Sequence, residues 1–110
     1  MTEVKKFNGS LHDLCDAITN HKGLTVLDIY ANWCPGCRRV TKMLPQYAQE
    51  YPEVQFLKID SDECPDIKAY FGIDSIPVLK FCTNANRLDP IDTIVGVNLP
   101  LIKEKVASFR

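Results

Sequence analysis

Residues Leu24 to Ala31 form an apolar run broken only by Thr25 and Asp28. The run is too short and too rich in β-branched side chains for a helix, so it reads as a strand buried on both faces. Helices must then cover it from either side, and the periodicity of the chain supplies them. Asn8-Gly9-Ser10 reads as a turn ending in a cap, after which Leu11, Leu14, Cys15 and Ile18 recur as the stripe of an amphipathic helix ending near Asn20. Between Cys34 and Tyr51, the residues Val40, Leu44, Tyr47, Ala48 and Tyr51 mark the longest helix, with a kink expected at Pro45. Pro65 to Phe71 is a short helix that opens on a proline, where the missing N–H does no harm, and stops at Gly72. Asn98 caps a last helix with the stripe Leu99, Ile102, Val106 and Phe109.

The remaining strands are Glu3 to Phe7, which is weak, Val54 to Ile59, Ile76 to Cys82 with Pro77 near its start, and Ile91 to Val95. The polar cluster Asp60-Ser61-Asp62-Glu63 closes the second of these and lacks the glycine and later glutamate of a calcium loop. The last two strands form a hairpin across Thr83 to Arg87, where Asn84 or Asn86 is expected to take the left-handed conformation. Alternation early and a hairpin late predict an α/β fold, a mixed sheet with helices on both faces. A chain of 110 residues, 45% hydrophobic and 25% charged, is expected to be one domain over residues 1–110. Thirteen Lys and Arg against fourteen Asp and Glu lack the basic excess that nucleic-acid binding needs. No apolar stretch approaches the ~18 residues of a membrane span, and no apolar stretch follows the charged first residues as in a secretory signal, so the cytosol is the expected compartment.

Five cysteines make an odd number, which argues against a full disulfide framework and for free thiols in a reducing compartment. Cys34-Pro35-Gly36-Cys37 sits where the buried strand hands over to the longest helix. Free N–H groups and the positive end of the helix dipole stabilise a thiolate there, so Cys34 is the better-placed nucleophile. Cys37, within the same first turn, can close a small disulfide and resolve an attack inside the chain, which points to thiol–disulfide exchange. Zinc is an alternative for such a pair, but Cys15, Cys64, Cys82, His12 and His21 provide neither a second pair at this spacing nor a matching histidine pair. An inert structural pair is the other alternative. Cys15 and Cys82 read as buried small hydrophobes, and Cys64 as a passive surface thiol in preference to a reactive one.

With Trp33 before the pair and an acid in the strand ahead of it, the sequence resembles the thioredoxin family. The resemblance runs from Leu24 to Val97 through Asp28-Ile29-Tyr30-Ala31-Asn32-Trp33-Cys34-Pro35-Gly36-Cys37, Lys58-Ile59-Asp60, Ile76-Pro77 and Gly96. It implies a five-stranded mixed sheet flanked by four helices, with Cys34 as exposed attacking thiol and Cys37 as buried resolving thiol. Asp28 would be the carboxyl beneath the pair, raised by desolvation into a range where it exchanges a proton with Cys37. Lys58 would moderate that carboxyl, and the plainer alternative is a structural Asp28–Lys58 ion pair. Pro77 would be a cis-proline. Trp33, Pro35, Gly36, Ile76, Pro77, Gly96 and Val97 would line a substrate rim suited to extended protein segments, core burial being the alternative for Trp33 and Ile76.

The activity so implied is that of a monomeric protein-disulfide reductase, an electron carrier in cell redox homeostasis with no bound cofactor and no metal. NADPH would act indirectly through a thioredoxin reductase, and oxidised proteins such as peroxiredoxins or ribonucleotide reductase would be the substrates. A disulfide oxidant or isomerase, and a non-catalytic binding module on the same fold, are the alternatives. The chain departs from the family pattern in its reversed dipeptide, Pro35-Gly36 in place of Gly-Pro, which leaves the reduced pair less constrained and its potential open. Lys42 stands where the family has its helix proline, Pro45 follows a turn later, and the hairpin lacks its glycine. Arg38 and Arg39 either add positive charge beside the thiolate or form a solvated helix face.

Overall fold

In the computed structural model, which describes residues 3–110, the chain runs β1 (Val4–Phe7), α1 (Leu11–Asn20), β2 (Leu24–Tyr30), α2 (Pro35–Glu50), β3 (Gln55–Asp60), α3 (Pro65–Phe71), β4 (Val78–Thr83), β5 (Asp92–Val95) and α4 (Leu99–Phe109). The five strands form one sheet in the order β1-β3-β2-β4-β5. β3 is parallel to both β1 and β2, whereas β4 is antiparallel to β2 and β5. β2 therefore lies at the centre, and all seven of its residues are buried.

Alternation along β2 sorts its side chains between two cores. Leu24 and Val26 join Phe56, Leu79 and Phe81 beneath Val40, Leu44, Tyr47 and Ala48 of α2 and Ile102 and Val106 of α4. Leu27 and Ile29 face the other way, onto Leu14 and Ile18 of α1 and Ile67 of α3. Asp28 shares the parity of Val26, which directs its carboxyl toward α2.

Local chemistry sets the helix ends. Ser10 accepts the Asp13 N–H at 3.1 Å while the Asp13 carboxylate accepts the Ser10 N–H at 3.0 Å, a reciprocal cap on α1. Asn98 caps α4 by accepting the Leu101 N–H at 3.2 Å, and Gly72 ends α3 in the left-handed conformation at φ 62°. α2 runs through Pro45 without interruption; the proline sits on its exposed side and has no N–H to offer the Thr41 carbonyl one turn earlier.

Several expectations need correction. Ala31 falls outside β2 and Ile91 outside β5, while β3 is Gln55–Asp60, one residue later than read from the sequence. Ile76 and Pro77 precede β4: the β4–β5 ladder stops at Val78 and Val95 because Pro77 lacks a donor and Gly96 turns to φ 93°. The left-handed hairpin residue is Arg87, at φ 56°, and not either asparagine. Thr83 dictates this, since its hydroxyl accepts the Asn86 N–H at 3.1 Å and its carbonyl the Arg87 N–H at 2.7 Å, which moves the reversal to the end of a wider turn.

Phe81 is fully buried and meets Phe109 edge to face at 5.8 Å between centroids. Phe81→Ala is expected to cost about 3–5 kcal/mol, against about 1 kcal/mol for Ser10→Ala. Urea unfolding of both variants checks the ranking.

Candidate active site

The end of β2 sets the position of the cysteines. The Ala31 carbonyl accepts the Cys34 N–H at 3.2 Å, and Cys34 is extended at φ -96°, ψ 111°, as a residue before proline prefers. Pro35 then begins α2, and Cys34 is its N-cap, its sulfur accepting the Cys37 N–H at 3.2 Å. Negative charge on the Cys34 sulfur is thus met by a backbone donor at the positive end of a helix. Both thiols are free. Cys34 is 6% exposed and Cys37 1%. The description of Cys34 as exposed is therefore too strong: its sulfur lies 3.9 Å from the Ile76 carbonyl, and the pair packs with Tyr30, Ala31 and Ile76. Burial, followed by the hydrogen bond with Cys34, holds the Cys37 thiol well above the ordinary range.

Asp28 is fully buried beneath α2. Burial pushes its carboxyl up to about 6, opposed first by a hydrogen bond from Thr41 and then by the charge of Lys58. The Thr41 hydroxyl donates to Oδ2 at 2.8 Å, and Oδ1 has no partner. Lys58 is opposite Asp28 in the β2–β3 register but makes no ion pair with it; its ammonium lies 6.0 Å from the Tyr30 ring centroid. The structural ion pair considered from the sequence is absent, because the long lysine side chain runs toward solvent over the tyrosine. Thr41 escaped the sequence reading. Its signal was a polar residue four positions after Cys37, on the same face of the helix. Cys37, Thr41 and Lys58 share a cavity of about 430 Å³ with Tyr30, Arg38 and Lys42. Arg38 donates to the Asn32 carbonyl at 3.0 Å, which ties it to the loop before Cys34.

The residues assigned to a rim occupy different depths. Trp33 is 68% exposed, which rules out core burial, and its indole N–H donates to Asp62 at 2.9 Å. Pro35 is exposed, Ile76 and Val97 are half-buried and Pro77 is buried, its peptide bond with Ile76 being cis. The Gly96 N–H donates to the Pro77 carbonyl at 2.8 Å. Gly36 joins the helix start to this loop: a Cβ added there would stand 2.9 Å from Val97 Cγ2 and 3.7 Å from Pro77 Cδ. Position 36 is therefore closely packed against Val97. Val95, at the end of β5, is 62% exposed and was not anticipated.

The other cysteines stand apart from this chemistry. Cys64 is buried and its thiol is raised by burial, so it is neither a surface thiol nor an activated one. Cys82 is buried, with its thiol pushed up to about 12 by burial. Cys15 is only half-buried, because α1 turns Leu14 and Ile18 inward instead. Among the described residues no group of three or more His, Cys, Asp or Glu side chains is placed to hold a metal ion.

Because the folded carboxyl of Asp28 keeps its proton to a higher pH than the unfolded one, ionising it destabilises the fold as pH rises from about 4 to about 6. Asp28→Asn is expected to be about 2–3 kcal/mol more stable than the parent at pH 8 and nearly equal to it at pH 4, read by urea unfolding of the reduced protein. Gly36→Ala is expected to cost about 1–2 kcal/mol by overpacking against Val97. Combining it with Val97→Ala should recover about 1 kcal/mol of that in a double-mutant cycle.

The thioredoxin family profile matches residues 4–106. Thioredoxin-1 of Saccharomyces cerevisiae is 31% identical over 85 residues, covering 77% of this chain and 80% of that protein. The structure of Trichomonas vaginalis thioredoxin superposes with a TM-score of 0.90 at 31% identity, covering 97% of each chain. A yeast structure concerned with resolving the thiol of mitochondrial 1-Cys peroxiredoxin by the glutathione and thioredoxin systems gives 0.85 at 25% identity, over 96% of this chain and 95% of that one. The chain spans 54% of the length of one further curated relative and 17% of another. A match across nearly its whole length, on this sheet order and with this cysteine pair at the head of α2, places the chain in the thioredoxin family.

Proposed function

We propose that the protein is a thiol–disulfide oxidoreductase that reduces protein disulfides by cycling between a Cys34–Cys37 disulfide and a dithiol. The observation that carries this reading is the Cys37 N–H directed at the Cys34 sulfur at the head of α2, over the buried carboxyl of Asp28. The Cys34 thiolate attacks a substrate disulfide, forming a mixed disulfide and releasing one substrate thiolate. Cys37 gives its proton to Asp28 and attacks the Cys34 sulfur, closing the Cys34–Cys37 bond and releasing the second substrate thiolate. Two electrons pass from the cysteine pair to the substrate, and the released thiolates take up protons from water.

An inequivalent pair suits this order of events. Cys34 has an amide donor to stabilise its charge, whereas buried Cys37 stays protonated until a base takes the proton. Trp33, Pro35, Ile76, Gly96 and Val97 flank Cys34 with apolar surface and backbone groups, a combination that accepts extended segments with little sequence preference. Lys58 adds a favourable charge to Asp28 at a distance. No cofactor takes part in the exchange itself. Electrons come from NADPH through a thioredoxin reductase, and the family likeness makes peroxiredoxins and ribonucleotide reductase the substrate types to try first. The reading assigns a monomer in the cytosol, a reducing compartment that keeps five thiols free.

Cys37→Ser is expected to trap protein partners as mixed disulfides through Cys34, with Cys34→Ser trapping none. Recovery of no adduct with Cys37→Ser would overturn the assigned nucleophile. Equilibration with dithiol–disulfide buffers, followed by alkylation and mass spectrometry, should place the couple at about -270 mV, as in ordinary thioredoxins. A couple at about -180 mV would reassign the protein as an oxidant or isomerase, since electrons would then flow into it from substrate dithiols.

A further inference from the structure

The two oxygens of the Asp28 carboxyl are not equivalent. Oδ2 accepts a 2.8 Å hydrogen bond from Thr41, and Oδ1 is buried without a partner. The groups around the carboxyl are few: Lys58 opposite it on β3, apolar Leu79 opposite it on β4, Tyr30 on its own strand, and Cys37 and Thr41 above it on α2. Lys58 is drawn off toward Tyr30, so among the described residues Thr41 is the side chain that holds this carboxylate by a hydrogen bond. An engaged oxygen is a poorer proton acceptor than a bare one, and a hydroxyl bonds an ionised acceptor more strongly than a neutral one.

We propose that Thr41 is a positioning residue for the proton step of the dithiol–disulfide cycle, its hydroxyl holding Oδ2 so that Oδ1 is left to take the Cys37 proton. The inference rests on the assignment of Asp28 as the base. In the step, the Cys37 S–H bond breaks and the proton bonds to Oδ1. The Cys37 sulfur keeps the electron pair and bonds to the Cys34 sulfur, and the bond from Cys34 to the substrate sulfur breaks, its electron pair leaving as the substrate thiolate. Once Oδ1 carries the proton, Oδ2 is a carbonyl oxygen that still accepts from Thr41, so the hydroxyl need not move.

Thr41→Val keeps the shape and removes the hydroxyl, and Thr41→Ser keeps the hydroxyl. Two readouts apply: the titration of the Asp28 carboxyl by carbon-13 NMR in the reduced protein, and the pH profile of single-turnover release of a reporter thiol from a mixed disulfide on Cys34. For Thr41→Val both are expected to move upward together by about one pH unit, which slows release roughly fivefold near pH 6 and leaves it equal to the parent above pH 8. Thr41→Ser is expected to follow the parent in both. An unmoved Asp28 titration in Thr41→Val, or a Thr41→Ser that behaves like valine, would overturn the role of Thr41 and leave the base assignment standing. A shifted titration beside an unshifted release profile would overturn Asp28 as the base, and this inference with it.

Discussion

Everything at the site depends on a carboxylate placed in a strand that has no exposed face. β2 is covered by α2 and α4 on one side and by α1 and α3 on the other, so Asp28 cannot reach water by turning. The penalty for ionising it is comparable with the gain from burying one or two neighbours such as Leu27 or Ile29, about 1.5–3 kcal/mol each. The central strand can carry that penalty because its other side chains are almost all apolar. The same burial that weakens the fold at neutral pH brings the carboxyl into the range where it can exchange a proton with a thiol.

The cysteines differ for an equally local reason. An N-cap residue lies outside the helix and faces its unbonded N–H groups, while a residue three positions on lies within the first turn and faces the core. Cys34 receives the donor, and Cys37 receives the desolvation. One helix terminus thus gives Cys34 a backbone donor and leaves Cys37 as a thiol that resists charge. A cavity of about 430 Å³ lies beside Cys37 and Thr41 and is lined also by Arg38, Lys42 and Lys58.

The rim is built from separate parts of the chain that meet at a few short contacts. Gly96 bonds back to Pro77, and Val97 fills the space that a side chain at position 36 would need. Reversal of the dipeptide is therefore coupled to a neighbour distant in sequence. A glycine in that position adds freedom to the unfolded chain, yet in the folded protein it serves close approach. Trp33 stands on the other flank, anchored to Asp62 by its indole N–H, so its ring is held at the surface by a polar contact instead of being drawn into the core.

Periodicity and local chemistry were enough to read every element from the chain, since Ser10, Pro35, Gly72 and Asn98 act within a turn of themselves and the Leu24–Tyr30 run permits few folds. The cysteine pair and the acid beneath it were legible for the same reason: spacing along one strand and one helix places them. What was not legible depends on which element lies over which. Thr41 reaches Asp28 only because the parity of β2 turns that carboxyl toward α2, and Lys58 misses it because Tyr30 offers its side chain another path. Cys64 is buried by the packing of α3 against the sheet, whereas the turn at Arg87 is set locally by the Thr83 hydroxyl and carbonyl, a signal that the asparagines at 84 and 86 masked. The sequence by itself determined the elements and the chemistry they could carry. Tertiary packing decided which hydroxyl holds the carboxylate and which valine closes on the glycine, because those contacts join residues that only the register of sheet and helix brings within a few ångströms.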